Sequence, residues 1–471
     1  MTSADTPRAS AGAASPSAAV SSTSSTSAAL EPPAGPGIRE TVAAIAAGRA
    51  TSRALLESAR EAHARHLGLN PIAWVDWDAA ARTADALDAA ARAAGALGPL
   101  HGATVSIKDL YNVAGMPTAG GTRAPLPEFG GESVAVSRLR AAGALIFAKT
   151  NMHEIALGAT GENPWTGDVK NPCDPARQAG GSSSGAGVAV ATGIGMAGLG
   201  SDTGGSVRIP AAFCGVVGFK PSFGAIPLGG ALHLSWTCDH AGPLTRSVDD
   251  AALLFEVMSG RRTDHGGVAR RPRLAVPAQW LAGRLHPAVR AWFEAHLAAL
   301  RRVADVVEVA TPSMPLAWQH YTPIVRAEGA YVHRVALAAG GEGFSEAVLA
   351  PLRAGEQVSA QTYIDAMHQR ETVRKELDAL LRDHDALVLP TSAVPPPLRG
   401  QTEVEVEGGT MSVREAVLGQ TLAFSFVGLP TLSLPAGIVE GLPAGLQVVG
   451  ARDRDASLLA LGRWMEAGPQ G

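Results

Sequence analysis

The residues of this chain that could do chemistry are hydroxyls standing among glycines. Residues 180–185 read GGSSSG, and residues 201–206 read SDTGGS. A linker would have no reason to carry Val188, Val190, Ile194, Met196 and Leu199 between two such clusters. Serine is a weak nucleophile at neutral pH and must pass its proton to a partner. In Thr203-Gly204-Gly205-Ser206 the backbone N–H groups are almost unobstructed by side chains. Glycines let such a run curl until several N–H groups face one point, which is what a developing oxyanion requires. Ser206, at the end of the run, could then attack a carbonyl held there.

Histidine is not well placed to take the proton. GSSSG at 181–185 has the form G-x-S-x-G, but the NPCDPARQAG before it is no strand. That motif also needs a histidine late in the chain, and none follows His384. His153 beside Glu154, and His240 after Asp239, read as polar residues bonded within loops. Lysine can replace histidine as the base, provided it is neutral. That means lowering a reference value of about 10.4 by about 3 units, or ~4 kcal/mol, which burial can supply. Lys108 follows the apolar TVSI, has Asp109 as its one charged neighbour and precedes a glycine-rich turn. On these segments alone, an ordinary strand-end lysine and a tight turn with capping hydroxyls stand as alternative readings.

Other motifs carry less. GIGMAG at 193–198 spells G-x-G-x-x-G, but it follows a helical pattern, leads into a loop and has no acid about 20 residues on. No phosphate-binding G-x-x-x-x-G-K-[ST] and no H-E-x-x-H occurs, so neither metal nor cofactor is expected.

The elements that must position these groups follow from periodicity. Residues 38–69 predict two amphipathic helices with an N-cap at Thr51-Ser52, and residues 76–95 an alanine-rich helix. Residues 104–107 form a short buried strand ending at Lys108. A helix at 133–142 and a strand at 144–148 ending at Lys149 come next. This alternation argues an α/β fold with a parallel sheet. Residues 186–195 suit a helix of small residues, with 198–200 leading into the second loop. Strands are expected at 386–389, 433–435 and 446–449, and a closing helix at 456–466. The middle, about 255–385, is helical in pattern and without motif.

Composition bounds the function. Of 471 residues 46% are hydrophobic and 17% charged, which suits a large core, and a net charge of −4 gives no footprint for nucleic acid or anionic membrane. A small-molecule or protein partner is expected instead. Cys173, Cys214 and Cys238 are too few and too far apart for a disulfide framework or zinc site, and fit a reducing compartment. The apolar segments fall short of the roughly 20 residues of a membrane span. Residues 1–37 are rich in Ala, Ser, Thr and Pro, lack the pattern of a secretory signal and are expected to be a disordered tail. A cytoplasmic location follows.

The stretch from Gly180 through GLGSDTGGSVRIPAAFCGVVGFKPS closely resembles the signature of amidase-signature hydrolases. VSIKDLYNVAGMPTAGGT, AKTNMHEIALGATGENP, HAGPLTRSVDDAALL, DALVLPTSAVP and GLPAGLQVVG look like segments of the same family, in family order. The resemblance spans residue 38 to the C-terminus and is weakest in the middle, a region it marks as variable and substrate-determining. It implies an α/β fold in one large domain, with a mixed, largely parallel, twisted central sheet covered by helices on both faces. It also implies a Ser–cis-Ser–Lys triad: Ser206 as acylated nucleophile, Ser182 as bridging serine beside a cis peptide bond, and Lys108 as base. The 24-residue separation of the two serines agrees with the family and selects Ser182 over Ser183 and Ser184. The N–H groups of Thr203, Gly204, Gly205 and Ser206 would form the oxyanion hole, with Asp202, Arg208 and Ser183 as support. Two departures stand out: Phe223-Gly224-Ala225 replaces a common Tyr-Gly-Arg, and Ser184 stands where glycine is common.

The resemblance implies hydrolysis of a small-molecule carboxamide to carboxylate and ammonia or amine, through an acyl-enzyme. The same triad could cleave an ester or carbamate. It also occurs in the A subunit of glutamine-dependent tRNA amidotransferases, which feeds ammonia to a partner. That subunit usually has an asparagine-containing stretch before GLP, whereas this chain has LAFSFVGLP. Met152, Trp165 and Trp236 are candidate pocket residues, with core packing as the competing reading. A homodimer is compatible with these features.

Overall fold

The computed structural model describes residues 35–96, 98–263, 267–268 and 270–468. Of the expected tail, residues 1–34 lie outside the described residues. The chain then enters the body directly: the Pro36 carbonyl accepts from Arg246, and the Ile38 N–H donates to Asp250. Helices α1 (Ile38–Ala46) and α2 (Ser52–Arg65) follow, and the Thr51 hydroxyl caps α2 by accepting the Ala54 N–H at 3.0 Å, as expected. After β1 (Ile72–Val75), the Asp76 carboxylate caps α3 (Trp77–Ala94). Next come β2 (Thr104–Lys108), α4 (Val134–Ala141) and β3 (Leu145–Thr150). The signature region builds α5 (Ser184–Ala191), β4 (Ala197–Asp202), α6 (Arg208–Cys214) and β5 (Val217–Lys220). Strand β6 (His240–Thr245) and α7 (Val248–Ser259) complete this half.

The middle is helical, as its pattern predicts, in α8 (Ala278–Leu281), α9 (Pro287–Val303), α10 (Met314–Val332), α11 (Arg334–Ala338), α12 (Glu346–Glu356) and α13 (Ala360–Asp383). It also contributes two strands that the pattern did not reveal, β7 (Arg273–Val276) and β8 (Asp305–Glu308). Strand β8 is an edge strand with exposed charged ends, so it lacks the apolar run that marks a buried strand. The chain continues through β9 (Ala386–Pro390) and a hairpin of β10 (Glu403–Val406) and β11 (Gly409–Ser412). It ends with α14 (Val413–Leu418), α15 (Leu422–Phe426), β12 (Thr431–Val439), β13 (Leu442–Val449) and α16 (Asp455–Glu466).

One mixed sheet gathers strands from the whole chain in the order β1-β3-β2-β4-β6-β5-β12-β13-β9-β7-β8. The parallel pairing predicted from alternation is present in two blocks, β3/β2/β4 and β9/β7/β8. Between the blocks, from β4 to β9, every ladder is antiparallel, so the sheet is less parallel than alternation alone suggests. Helices cover both faces, which successive residues of β5 show directly. A Cβ on Gly218 would lie 2.6 Å from that of Ala211 on α6, while Phe219 meets the Phe255 ring of α7 at 5.4 Å.

The expectation that residues 198–200 lead into a loop is corrected: they lie inside β4. Gly198 is a strand residue because α5 presses on it, and a Cβ there would stand 2.9 Å from that of Ala186. Close helix–sheet packing, rather than a turn, accounts for that glycine. No helix among the described residues is long and apolar enough to cross a membrane.

Candidate active site

Strand β2 runs parallel to β4, with Ile107 opposite Leu199, and ends at Lys108 beside the start of the SDTGGS loop. Lys108 is fully buried, and its Nζ donates to three hydroxyls: Ser182 at 2.7 Å, Ser201 at 2.9 Å and Ser183 at 3.0 Å. An ammonium carries three N–H donors, so the charged form fits this cradle completely. Burial nevertheless pushes Lys108 down to about 7, against the pull of Asp202 and Asp239. A neutral amine has two N–H donors and a lone pair, so one hydroxyl must then donate to it. The Ser183 hydroxyl already donates to the Ser201 carbonyl at 3.1 Å. Ser182, the shortest contact, is free to turn its proton toward the nitrogen.

The three consecutive serines thus separate by geometry. The Gly181–Ser182 peptide bond is cis. Ser182 and Ser183 both face Lys108, while Ser184 opens α5 with its buried Oγ unpartnered among the described residues. Gly200 keeps this space open, since a Cβ there would stand 2.8 Å from the Ser183 Oγ. Ser201 was not singled out in the sequence. Its position at the end of β4, one strand from Lys108, was the available signal.

The second loop is held by its carbonyls. The Asp202 carbonyl meets the His240 Nδ1 at 3.1 Å, and that of Gly204 accepts from the Thr421 hydroxyl at 2.6 Å. The Gly205 carbonyl accepts the Ile209 N–H, and the Ser206 carbonyl the Ser183 N–H at 3.2 Å. The N–H groups of Thr203, Gly204, Gly205 and Ser206 donate to no described residue. Gly205 has φ +147°, and a Cβ on it would lie 2.3 Å from the Thr421 Oγ1, so glycine is required there. The Thr203 hydroxyl donates to Asp239 at 2.7 Å.

Asp202 and Arg208 brace the loop from beneath. Both are fully buried, joined by Arg208 N–H donors at 2.9 and 3.0 Å, and Asp202 also accepts from the Val207 N–H and the Ser425 hydroxyl. Burial opposes the charge on Asp202, but Arg208 outweighs it and holds the carboxyl well below the usual range. The guanidinium further donates to the Thr421 carbonyl and the Gln447 side chain, tying the loop to α15 and β13.

Ser206 is 5% exposed, and its hydroxyl makes no hydrogen bond to the described residues, Ser182 included. Catalytic contacts are often long before substrate binds. With Thr203 and Gly204 it lines a cavity of about 420 Å³ whose walls come from the 153–160 segment, α10, α12 and α14. His153 also reaches this cavity. Burial, with the Lys108 charge, pushes it down to about 4, so it is neutral at pH 7, with the Thr160 hydroxyl at its Nδ1. His240 sits behind the loop and is likewise neutral, chiefly through burial.

The three sequence-derived pocket residues do not line the cavity. Met152 is fully buried in the core. Trp165 donates to Glu154 at 2.9 Å beneath the Arg123 guanidinium, and Trp236 is 41% exposed against Tyr331. The cavity walls include Leu157 of the quoted AKTNMHEIALGATGENP segment, Tyr321 and Val325 of the helical middle, and Leu418, which no motif marks. Among the described residues no cluster of three His, Cys, Asp or Glu could hold a metal ion.

Comparison with known proteins agrees with this architecture. The Amidase family model matches residues 53–459. A solved structure described as an amidase is 51% identical, covers 92% of this chain and 99% of its own, and superposes with a TM-score of 0.90. The A subunit of the glutamyl-tRNA(Gln) amidotransferase from Symbiobacterium thermophilum is 35% identical over 78% of this chain and 82% of its own length. The AtzE subunit of the 1-carboxybiuret hydrolase from Pseudomonas sp. strain ADP is 32% identical over 91% of this chain and 97% of its own.

Proposed function

The chain belongs to the amidase family, and from that premise we propose that it hydrolyses the carboxamide of a small molecule to a carboxylate and ammonia or amine. The observation that carries this reading is Lys108, buried without a carboxylate contact and surrounded by three hydroxyls. Neutral Lys108 takes the proton of Ser182, and Ser182 takes that of Ser206 as its oxygen bonds to the amide carbon. The N–H groups of residues 203–206 receive the negative oxygen. Collapse breaks the C–N bond, and the proton returns from Lys108 through Ser182 to the departing nitrogen. Water then gives its proton to the same relay as its oxygen bonds to the acyl carbon. Collapse breaks the bond to the Ser206 oxygen, which takes the proton back from Ser182 as the acid leaves. Asp202 and Arg208 act by fixing the loop, and Ser183 by holding Ser201 and Lys108. Among the described residues no disulfide joins Cys173, Cys214 or Cys238, which supports a reducing, cytoplasmic setting.

The purified chain is expected to release ammonia from simple amides, and Ser206→Ala to lower the rate by about 10³-fold or more. Full activity in that variant would sink the mechanism. The identity with an amidotransferase A subunit favours a second reading, in which glutamine is the substrate and ammonia passes to a partner. Glutaminase activity appearing only with partner subunits would select it.

A further inference from the structure

Among the described residues no aspartate or glutamate lines the cavity at Ser206, yet two arginines from separate elements reach it: Arg326 on α10 and Arg414 at the start of α14. Neither is in an ion pair with a described residue. Arg414 donates to the Thr322 hydroxyl at 3.2 Å and lies over the Trp318 ring at 5.1 Å. The carboxylate beside it, Glu415, is taken by Arg284 at 2.6 Å. Burial disfavours the charge on Arg414 most, and the nearby Arg326 adds to this, with Tyr321 and Glu415 offsetting part of it. Elsewhere on the surface, Arg53, Arg140, Arg270 and Arg290 are all paired with carboxylates. Two neighbouring cations without a counter-charge repel, and an anionic ligand removes that cost.

Position adds to charge. Arg326 and Arg414 are exposed, whereas Ser206 is almost buried, so the cations stand at the mouth and the nucleophile at depth. Leu157, Val325 and Leu418 supply apolar wall in the same cavity. Resting on the reading of Ser206 as nucleophile, we propose that the substrate is an amide that also carries a carboxylate, separated from the amide by an apolar segment and held by Arg326 and Arg414. The planar fork of arginine matches a carboxylate with two parallel N–H donors. The amide end then enters the loop of residues 203–206 with its orientation already set.

The test measures ammonia release from monoamides of linear four- to six-carbon dicarboxylic acids, beside alkanamides and ω-amino amides of matched length. The anionic series is expected to have at least tenfold higher kcat/KM than the neutral one, mainly through KM, and the cationic series to be poorest. In Arg414→Gln and Arg326→Gln the anionic-to-neutral ratio should fall about tenfold, with partial recovery in the corresponding lysine variants. A structural role alone would lower both substrates together and leave the ratio in place. Charge-blind hydrolysis by the wild-type chain, or variants with an unchanged ratio, overturns the inference while leaving the amidase reading intact. Failure to hydrolyse any amide in a Ser206-dependent way removes that reading, and this inference with it.

Discussion

At the scale of single residues, the site turns on the protonation of Lys108. With its proton the amine fits three hydroxyl acceptors, and without it one of them must become a donor. The proposed relay needs the second state, so kcat/KM is expected to rise with pH along a limb centred near 7, where burial places this group. Ser201→Ala removes one acceptor of the ammonium alone, so it should shift that limb to lower pH by roughly half a unit to one unit. A pH–rate profile of both proteins checks this, and an unmoved limb would mean that Ser201 does not stabilise the ammonium. The same group sets a stability slope. Its ordinary value is 10.5, so between about 7 and 10.5 the unfolded chain holds a proton that the folded chain does not. The burial cost of Lys108 is therefore full below 7 and fades as pH rises, contributing about 1.4 kcal/mol per pH unit across that window. Urea midpoints of wild type and Lys108→Met, compared between pH 7 and 9, isolate this slope.

At the scale of elements, Arg208 joins four pieces of chain, because its guanidinium bonds Asp202 on β4, Thr421 and Ser425 around α15, and Gln447 on β13. Arg208→Met leaves the Asp202 carboxylate buried without its charge partner, at an expected cost of about 3–5 kcal/mol. Adding Asp202→Asn to that variant should recover part of the loss, which denaturant unfolding of the single and double variants measures. Both residues were legible in the sequence, as were Lys108, the two serine loops and the capped helices α2 and α3. Asp202 and Arg208 were legible only through the family resemblance, whereas the others lie in local patterns: a hydroxyl beside glycine, a lysine ending an apolar strand, a threonine before an apolar period. Strand β4 was read in part as loop because Gly198 and Gly200 carry turn composition, when their small size answers to α5 and Ser183 instead. The helical middle was marked as substrate-determining and does wall the cavity, but the individual wall residues were not legible, for a different reason. Arg414 lies about two hundred residues from Ser206, on a helix with no motif, and nothing local to either segment says that they share a space. For Met152, Trp165 and Trp236, residue type leaves pocket and packing roles open, and each packs away from the cavity.

At the scale of the whole molecule, sequence order and spatial order in the sheet diverge at β12 and β13. The last two strands of the chain stand in the middle of the sheet, between β5 and β9. They are the only ladders joining the block built by residues 72–245 to the block built by residues 273–390 among the described residues. Leu432, Leu446, Val448 and Val449 are buried in that seam, and Gln447 reaches from it to Arg208. A chain of residues 35–430 would therefore present β5 and β9 as two open, apolar edges, and the loop of residues 203–206 would lose one of its ties. Such edges pair with other chains, so this fragment is expected to aggregate or to melt without a cooperative transition. A chain of residues 35–468 retains every ladder of the sheet and is expected to keep both a single cooperative melt and its activity. Circular dichroism melts and ammonia release on the two proteins decide the matter. A cooperative melt in the shorter chain would mean that the two blocks fold as separate units and that the last strands merely dock between them. An inactive or unfolded longer chain would mean that residues outside 35–468 help to hold the sheet or the loops.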